Sequence, residues 1–408
     1  MHRAICVLAA VLSAHAAEDA VSAKLDRAVD FFEERLKRDP DDYVAANQFA
    51  DRLLRRLSWA GRLEDLRRAE EITTLSLKAT PPGQNPSGLA GRARVLSALH
   101  RFGEAADFAR QLEMLQPGKA LSQQLLGDAL IELGDLDGAQ QAFARALERS
   151  EPAPASESRF ARLAWLRGKL DEAAEHLDAT LAFARADTDS ETLVWALMQR
   201  GEQAFRRGDH TAAGQLYDEA LATAPGHWTV TSAIAELRGA QGRDAEAAEL
   251  FEQVATSTGR PEMWQALGDL HAFYKRPADA KAAHDKALAG YRASLDRGEV
   301  LYIHHLSGFF SDSQPDAAQA IEFAQRDLKL RQSTGAWDAL AWAQYRAGDF
   351  TAATESSAKA LATGLADPHV LYHAAMIRLS AGAVKEGQDL LRRCAAVNPH
   401  FANFHVHR

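Results

Sequence analysis

Histidine is the residue type in this 408-residue chain that most invites a chemical reading. His369 and His373 stand four apart, one helical turn, so both rings can face a single ligand. His304 and His305 are adjacent and point to different faces of a helix, and the C-terminal segment carries His400, His405 and His407. A zinc site needs three or four convergent donors, and no His-Glu-x-x-His occurs. The expectation is therefore packed or solvated histidines, with no metal and no cofactor. Other chemistries fare no better. There is no Gly-x-Ser-x-Gly elbow, no phosphate-binding Gly-Lys-Ser/Thr loop and no dinucleotide signature. Carboxylates are numerous but scattered at helical spacing, so pairing any two as acid and base is arbitrary. The chain reads as not an enzyme, with no catalytic residues. Of its two cysteines, Cys6 falls in an apolar N-terminal run and Cys394 stands alone. No internal disulfide is expected, and Cys394 occupies a position suited to a buried, inert thiol.

Composition limits the partners. Lys and Arg total 47 against 56 Asp and Glu, a net charge of −9, which is wrong for wrapping nucleic acid. Arg55-Arg56 and Arg67-Arg68 are interrupted by Glu64, Asp65, Glu70 and Glu71 and read as solvated helix faces. Residues 1–16 read as a cleaved signal peptide: Arg3, an apolar stretch from Ala4 to Leu12, then Ala14-His15-Ala16. Export, to the periplasm of a bacterial envelope, is the expected localisation. No later stretch is apolar enough to make a transmembrane helix.

The elements that position these residues follow from small-residue spacing. Ala105, Ala139, Ala173, Ala213, Ala247, Ala280, Ala320, Ala353 and Gly387 recur at about 34 residues, with two longer intervals of about 40. Such a period means stacked helical hairpins, each burying its apolar faces only against its neighbours. The clearest unit contains Leu126-Gly127, Leu130, Gly134, Leu136, Ala139, Phe143, Ala146-Leu147 and Pro152. Small residues let the two helices approach, bulky ones fill the gap, and Gly134 closes the turn. The longer intervals add residues at Leu181 to Thr192 and at Ala289 to Tyr302, where longer second helices are expected.

This pattern resembles the tetratricopeptide repeat family, and it recurs in Gly201, Gly208, Ala213, Tyr217, Ala220-Leu221 and Pro225, and again in Trp264, Leu267-Gly268, Ala280 and Ala287-Leu288. A further copy holds Trp337, Leu340, Gly348, Phe350, Ala353 and Ala360-Leu361. The resemblance implies an all-α, right-handed solenoid of stacked helix-turn-helix units. It divides the chain into a signal peptide (1–16), degenerate N-terminal repeats (17–88), a regular array (89–399) and a C-terminal tail (400–408). It also implies that an extended peptide or a partner helix lies in the groove lined by first helices. The candidate lining is Arg162, Trp165, Met198, Glu202, Phe205, Arg206, Gln265, Asp269, Phe273, His305, Phe309, Asp338, Trp342, Tyr345 and Tyr372.

No consecutive units supply the Lys, Asn and Arg set with which chaperone-tail clamps of this family hold a terminal carboxylate. Asp128, Glu132, Glu202 and Asp269 would repel an acidic tail. The leading function is a non-catalytic exported scaffold for protein–protein interaction. Two alternatives stay open: a small-molecule or metal-handling binding protein using the C-terminal aromatic and His groups, and a regulatory subunit of an envelope enzyme. The tail, with Phe401, Phe404 and Val406, is expected to fold back over the last helix near Leu390, Leu391 and Cys394.

Overall fold

The computed structural model describes residues 21–406, apart from 82 and 188. The signal-peptide reading, Cys6 and His407 lie outside the described residues. Among the described residues there is no strand, and no helix is long and apolar enough to cross a membrane. Helix α1 (21–38) precedes ten helical units. The first five are α2 (Tyr43–Ala60) with α3 (Leu63–Lys78), α4 (Pro86–Ala98) with α5 (Phe102–Leu115), α6 (Ala120–Glu132) with α7 (Leu136–Leu147), α8 (Pro154–Leu166) with α9 (Leu170–Ala186), and α10 (Ser190–Arg206) with α11 (His210–Thr223). Next come α12 (Trp228–Ala240) with α13 (Asp244–Thr258), α14 (Pro261–Phe273) with α15 (Pro277–Asp296), and α16 (Ile303–Gly308) with α17 (Ala317–Leu330). The last two are α18 (Thr334–Arg346) with α19 (Phe350–Leu361) and α20 (Pro368–Ser380) with α21 (Val384–Val397). The fold is an all-α helical-repeat solenoid.

The periodic alanines do the packing the sequence asks of them. Ala139, Ala213, Ala247, Ala320 and Ala353 are fully buried. One aromatic-for-glycine contact repeats down the array: the ring of Phe143 covers Gly127, Tyr217 covers Gly201 and His284 covers Gly268. A β-carbon at any of these glycines would run into the ring, so the small residue sets how closely the two helices of a unit approach. The stack continues from α3 to α4, which pack on each other. There Asn85 caps α4, accepts from Asn47 (2.8 Å) and donates to Ser76 (2.8 Å), tying α2, α3 and α4 together.

The two insertions lengthen helices, though not in one manner. Helix α15 has 20 residues where α7 and α19 have 12. The other insertion is shared between α9 and α10, each of 17 residues. After α15 the following first helix is cut to six residues and continues as a π turn, Phe309–Ser313.

The solenoid winds until it meets itself. Gly134, in the α6–α7 turn, lies on the loop after α17: a β-carbon there would stand 2.5 Å from the Gln332 carbonyl, and the Gln332 N–H donates to the Glu132 carbonyl (3.1 Å). Gly168, in the α8–α9 turn, touches the Gly364 carbonyl after α19. Gly208, in the α10–α11 turn, meets Asn398 after α21. At the other end Gly61, in the α2–α3 turn, packs on Thr258 and Trp228, and Arg260 donates to its carbonyl (3.0 Å). In every case the turn of one unit meets the loop that follows the fifth unit after it. Positive φ at Gly134 (84°) and Gly168 (72°), together with the missing side chain, lets backbone approach backbone. Apolar clusters add to the closure around the Gly61 turn: Trp59, with Leu25 of α1, shares one with Val194, Leu197 and Leu237, and Leu63 shares another with Tyr291, Tyr302 and Phe309.

The C-terminal tail corrects one expectation. Phe401 does lie against Leu390 and Cys394, as the sequence reading has it. Phe404 and Val406 instead cross to the middle of the array, where Phe404 is buried against Gly239, Phe251 and Leu270. Asn403 donates to the Ala240 carbonyl (2.9 Å). The winding has by then carried α12 and α14 under the end of the chain, so the nearest apolar surface belongs to distant repeats. Cys394 is buried and donates to the Pro368 carbonyl (3.2 Å), and burial pushes its thiol up to about 11.

Candidate functional site

Closing the winding turns an open groove into an interior space. Two adjoining chambers of about 720 and 770 Å³ occupy the axis and share Met198, Gln199, Glu202, Gln265, His305 and Val406 as walls. The first chamber reaches solvent beside the exposed residues Arg162, Gln332 and Gly335.

Ten of the fifteen sequence-predicted lining residues face the first chamber: Arg162, Trp165, Met198, Glu202, Phe205, Arg206, Gln265, His305, Asp338 and Trp342. Five line neither chamber. Phe309 is fully buried among Tyr291, His284 and Phe310, because the π turn rotates it into the core. Asp269, next to Gly268, is turned to the second helix of its unit and is held by His284 (2.9 Å) and Ser313 (2.8 Å). Phe273 is 48% exposed, edge-on to Tyr274 and Phe404. Tyr345 stacks behind Trp342 (4.7 Å), and Tyr372 packs on Phe401 (5.3 Å). Asp128 is likewise turned away, paired with Arg159 (2.7 Å).

The electrostatics of the first chamber favour a positively charged occupant. Its chargeable lining includes Glu132, Glu202, Glu236, Asp312, Asp338 and Asp367, against Arg162, Arg206 and Lys359. Arg162 pairs with Glu132, and Arg206 pairs with both Glu202 (2.9 Å) and Asp367 (2.9 Å), the latter bridging successive turns. Asp312, delivered by the π turn, accepts from Trp342 Nε1 (2.8 Å) and Arg346 (3.0 Å) and fixes the indole. Burial lowers His305 to about 4, so its ring is neutral at the chamber wall. Gln265 is already committed, accepting from the Tyr291 hydroxyl (2.6 Å) and donating to Ser313 (3.2 Å). Trp228 and Ser311 are among the lining residues, but Trp228 Nε1 and Ser311 Oγ are themselves buried, without a hydrogen-bond partner.

Sequence reasoning missed the convergence of α18 and α20. Asp338, His369 and His373 place a carboxylate oxygen and two imidazole nitrogens within 4.8 Å of one another. Asp338 Oδ2 and His373 Nδ1 are 2.9 Å apart, and the two residues are one repeat apart in sequence. Aligning the repeats by that interval is the signal that would have paired them; the residue that projects is His373, not its neighbour Tyr372.

Stacked hairpins around an inner, first-helix-lined space define a class: helical-repeat proteins that bind along their concave surface. The chain carries tetratricopeptide repeats: two tetratricopeptide repeat models match it, at residues 120–152 and 204–270. It shares 17% identity with a tetratricopeptide repeat protein from Parabacteroides merdae, covering 61% of this chain and 91% of that one, at a TM-score of 0.43. With a thermophilic tetratricopeptide protein of Thermus thermophilus it shares 24% identity over 43% and 91%, at 0.36. With YrrB, described as having an unusual peptide-binding site, the figures are 18%, 49% and 95%, at 0.29. No curated protein matches the sequence. The matched repeats support a protein-interaction scaffold.

Proposed function

We propose that the chain is an exported, non-catalytic scaffold that takes an extended peptide segment of basic character into its inner chambers. The observation that supports this most is the lining itself: aromatic side chains from the first helices α8, α10 and α18, Trp165, Phe205, Trp337 and Trp342, set among carboxylates in excess of fixed cations. Aromatic anchors supply binding energy and the acidic surround selects charge. Nothing in the lining resembles an activated nucleophile with its base, which favours binding over catalysis.

Peptide display on the immobilised full chain tests this, followed by calorimetry with the selected peptides. Enriched sequences are expected to be basic with apolar anchors, and Trp165→Ala or Phe205→Ala is expected to weaken them by about tenfold or more. Acidic enriched sequences, or affinities indifferent to both substitutions, contradict the reading.

A further inference from the structure

We propose that Asp338, His369 and His373 form a site for a divalent first-row transition ion, with zinc the best-suited occupant. Two imidazole nitrogens and a carboxylate oxygen are donors for zinc, cobalt, nickel or copper(II) rather than for calcium or magnesium, which want all-oxygen shells. Among the described residues this is the one group of three such side chains whose donor atoms converge. Other histidine–carboxylate pairs supply a single imidazole each. His284 is spent on Asp269, and His304 on Asp327, whose other oxygen is taken by Arg331 (2.9 Å).

The surroundings hold the donors in place. Asp367 accepts from the backbone N–H groups of His369 (2.9 Å) and Val370 (3.4 Å), fixing the first turn of α20. His369 and His373 then lie on one face, ring centres 4.0 Å apart. The His373 ring lies flat on Trp342, 3.9 Å between centres and 8° from parallel, so its plane is set before any ion arrives. Such orientation is what outer groups do for metal-ligating histidines. Donors around a tetrahedral zinc sit about 3.4 Å apart for bond lengths near 2.1 Å. Asp338 Oδ2 and His373 Nδ1, at 2.9 Å, are already inside that spacing, and all three donors lie within 4.8 Å of one another. His373 and Asp338 are buried, whereas His369 is only partly so.

Three protein donors leave an ion with an open position. Here that position faces the first chamber, where the His405 ring stands beside His369 (5.7 Å). The excess of carboxylates over fixed cations in that chamber favours a bound cation. This inference does not depend on the peptide reading, since an ion fills the site whether or not a peptide follows.

The test uses the full chain stripped with a chelator. Cobalt(II) is titrated while the visible d–d band is read, and zinc binding is followed by calorimetry. One ion per chain is expected, with a band intensity typical of four- or five-coordination. His369→Ala is expected to weaken binding by about tenfold or more, Asp338→Asn by about tenfold, and the His369→Ala/His373→Ala pair to abolish it. His176→Ala, on α9 beside Glu157 (2.7 Å) and away from the cluster, is expected to leave it unchanged. Far-ultraviolet circular dichroism checks folding of each variant; if the buried His373 substitution unfolds the chain, the partly exposed His369 carries the test alone. No cobalt band in the wild-type chain overturns the proposal. So does binding that persists undiminished in a folded His369→Ala chain, which would place the ion elsewhere.

Discussion

The backbone N–H of Val406 donates to the carboxylate of Glu236 at 2.8 Å, across 170 residues of chain. That bond marks where the C-terminal tail ends its path over α12, after Phe404 has filled the space beside Gly239 and Phe251. The tail thus ties the last repeat to the middle of the array, which a cap on the last helix alone would not do.

Removing the Phe404 side chain leaves a void between α12, α13 and α14. Phe404 is 3% exposed, so Phe404→Ala is expected to destabilise by roughly 3–5 kcal/mol, at the lower end if the tail collapses into the gap. Phe401→Ala, at a half-buried site, is expected to do less. Urea unfolding of the two variants checks the order; equal midpoints would mean that the tail does not insert.

The closing contacts separate two effects of glycine. Gly168 and Gly242 both have positive φ, 72° and 78°. A β-carbon at Gly242 meets nothing, while at Gly168 it meets the Gly364 carbonyl. Gly242→Ala is expected to cost about 1 kcal/mol of backbone strain, and Gly168→Ala clearly more. Thermal melts of both variants check this, and identical losses would argue that the two turns are equally free of neighbours.

Acid is expected to loosen the structure in two windows. Burial lowers His227 to about 4, and burial together with the nearby positive Arg331 lowers His100 to about 3; the ordinary value is 6.5. As pH falls from 6.5 toward 4 the unfolded chain takes up protons the folded chain refuses, so stability drops. Glu299 is the opposite kind of group. Burial alone would raise it, but Arg297, Arg67 and Ser294 hold it down to about 2, so its contribution is intact above about pH 4.5 and lost as pH falls toward 2. Melting temperature measured from pH 8 to pH 3 checks both windows. His227→Gln should flatten the upper one, and an unchanged slope there would mean that His227 titrates normally.

The hairpins, the buried alanines and the lengthening around the two insertions were legible in the sequence because each depends on neighbours within one repeat. Ala139, Ala213 and Ala353 needed only their own unit and the next to define their burial. The chamber lining was half legible: Trp165, Met198 and Trp342, taken from consensus positions, stand on its wall, whereas a π turn and the His284 contact turn Phe309 and Asp269 away from it. The destination of Phe404 was not legible. It depends on the twist accumulated over several units, and bulky residues at each interface set that twist in small steps that a period does not encode. The spacing of His369 and His373 was plain, but Asp338 joins them only through the packing of α18 on α20.

The contact of the turns at Gly61, Gly134, Gly168 and Gly208 with the chain five units later is the claim on which the chambers and the tail path rest. Small-angle X-ray scattering of the full chain in solution measures it most directly. A closed winding gives a radius of gyration near the roughly 22 Å of a compact chain of this length, with a distance distribution that has a single symmetric maximum. A radius well above that, with the long tail of an extended rod, would mean that Gly134, Gly168 and Gly208 do not touch the later loops and that the groove is open.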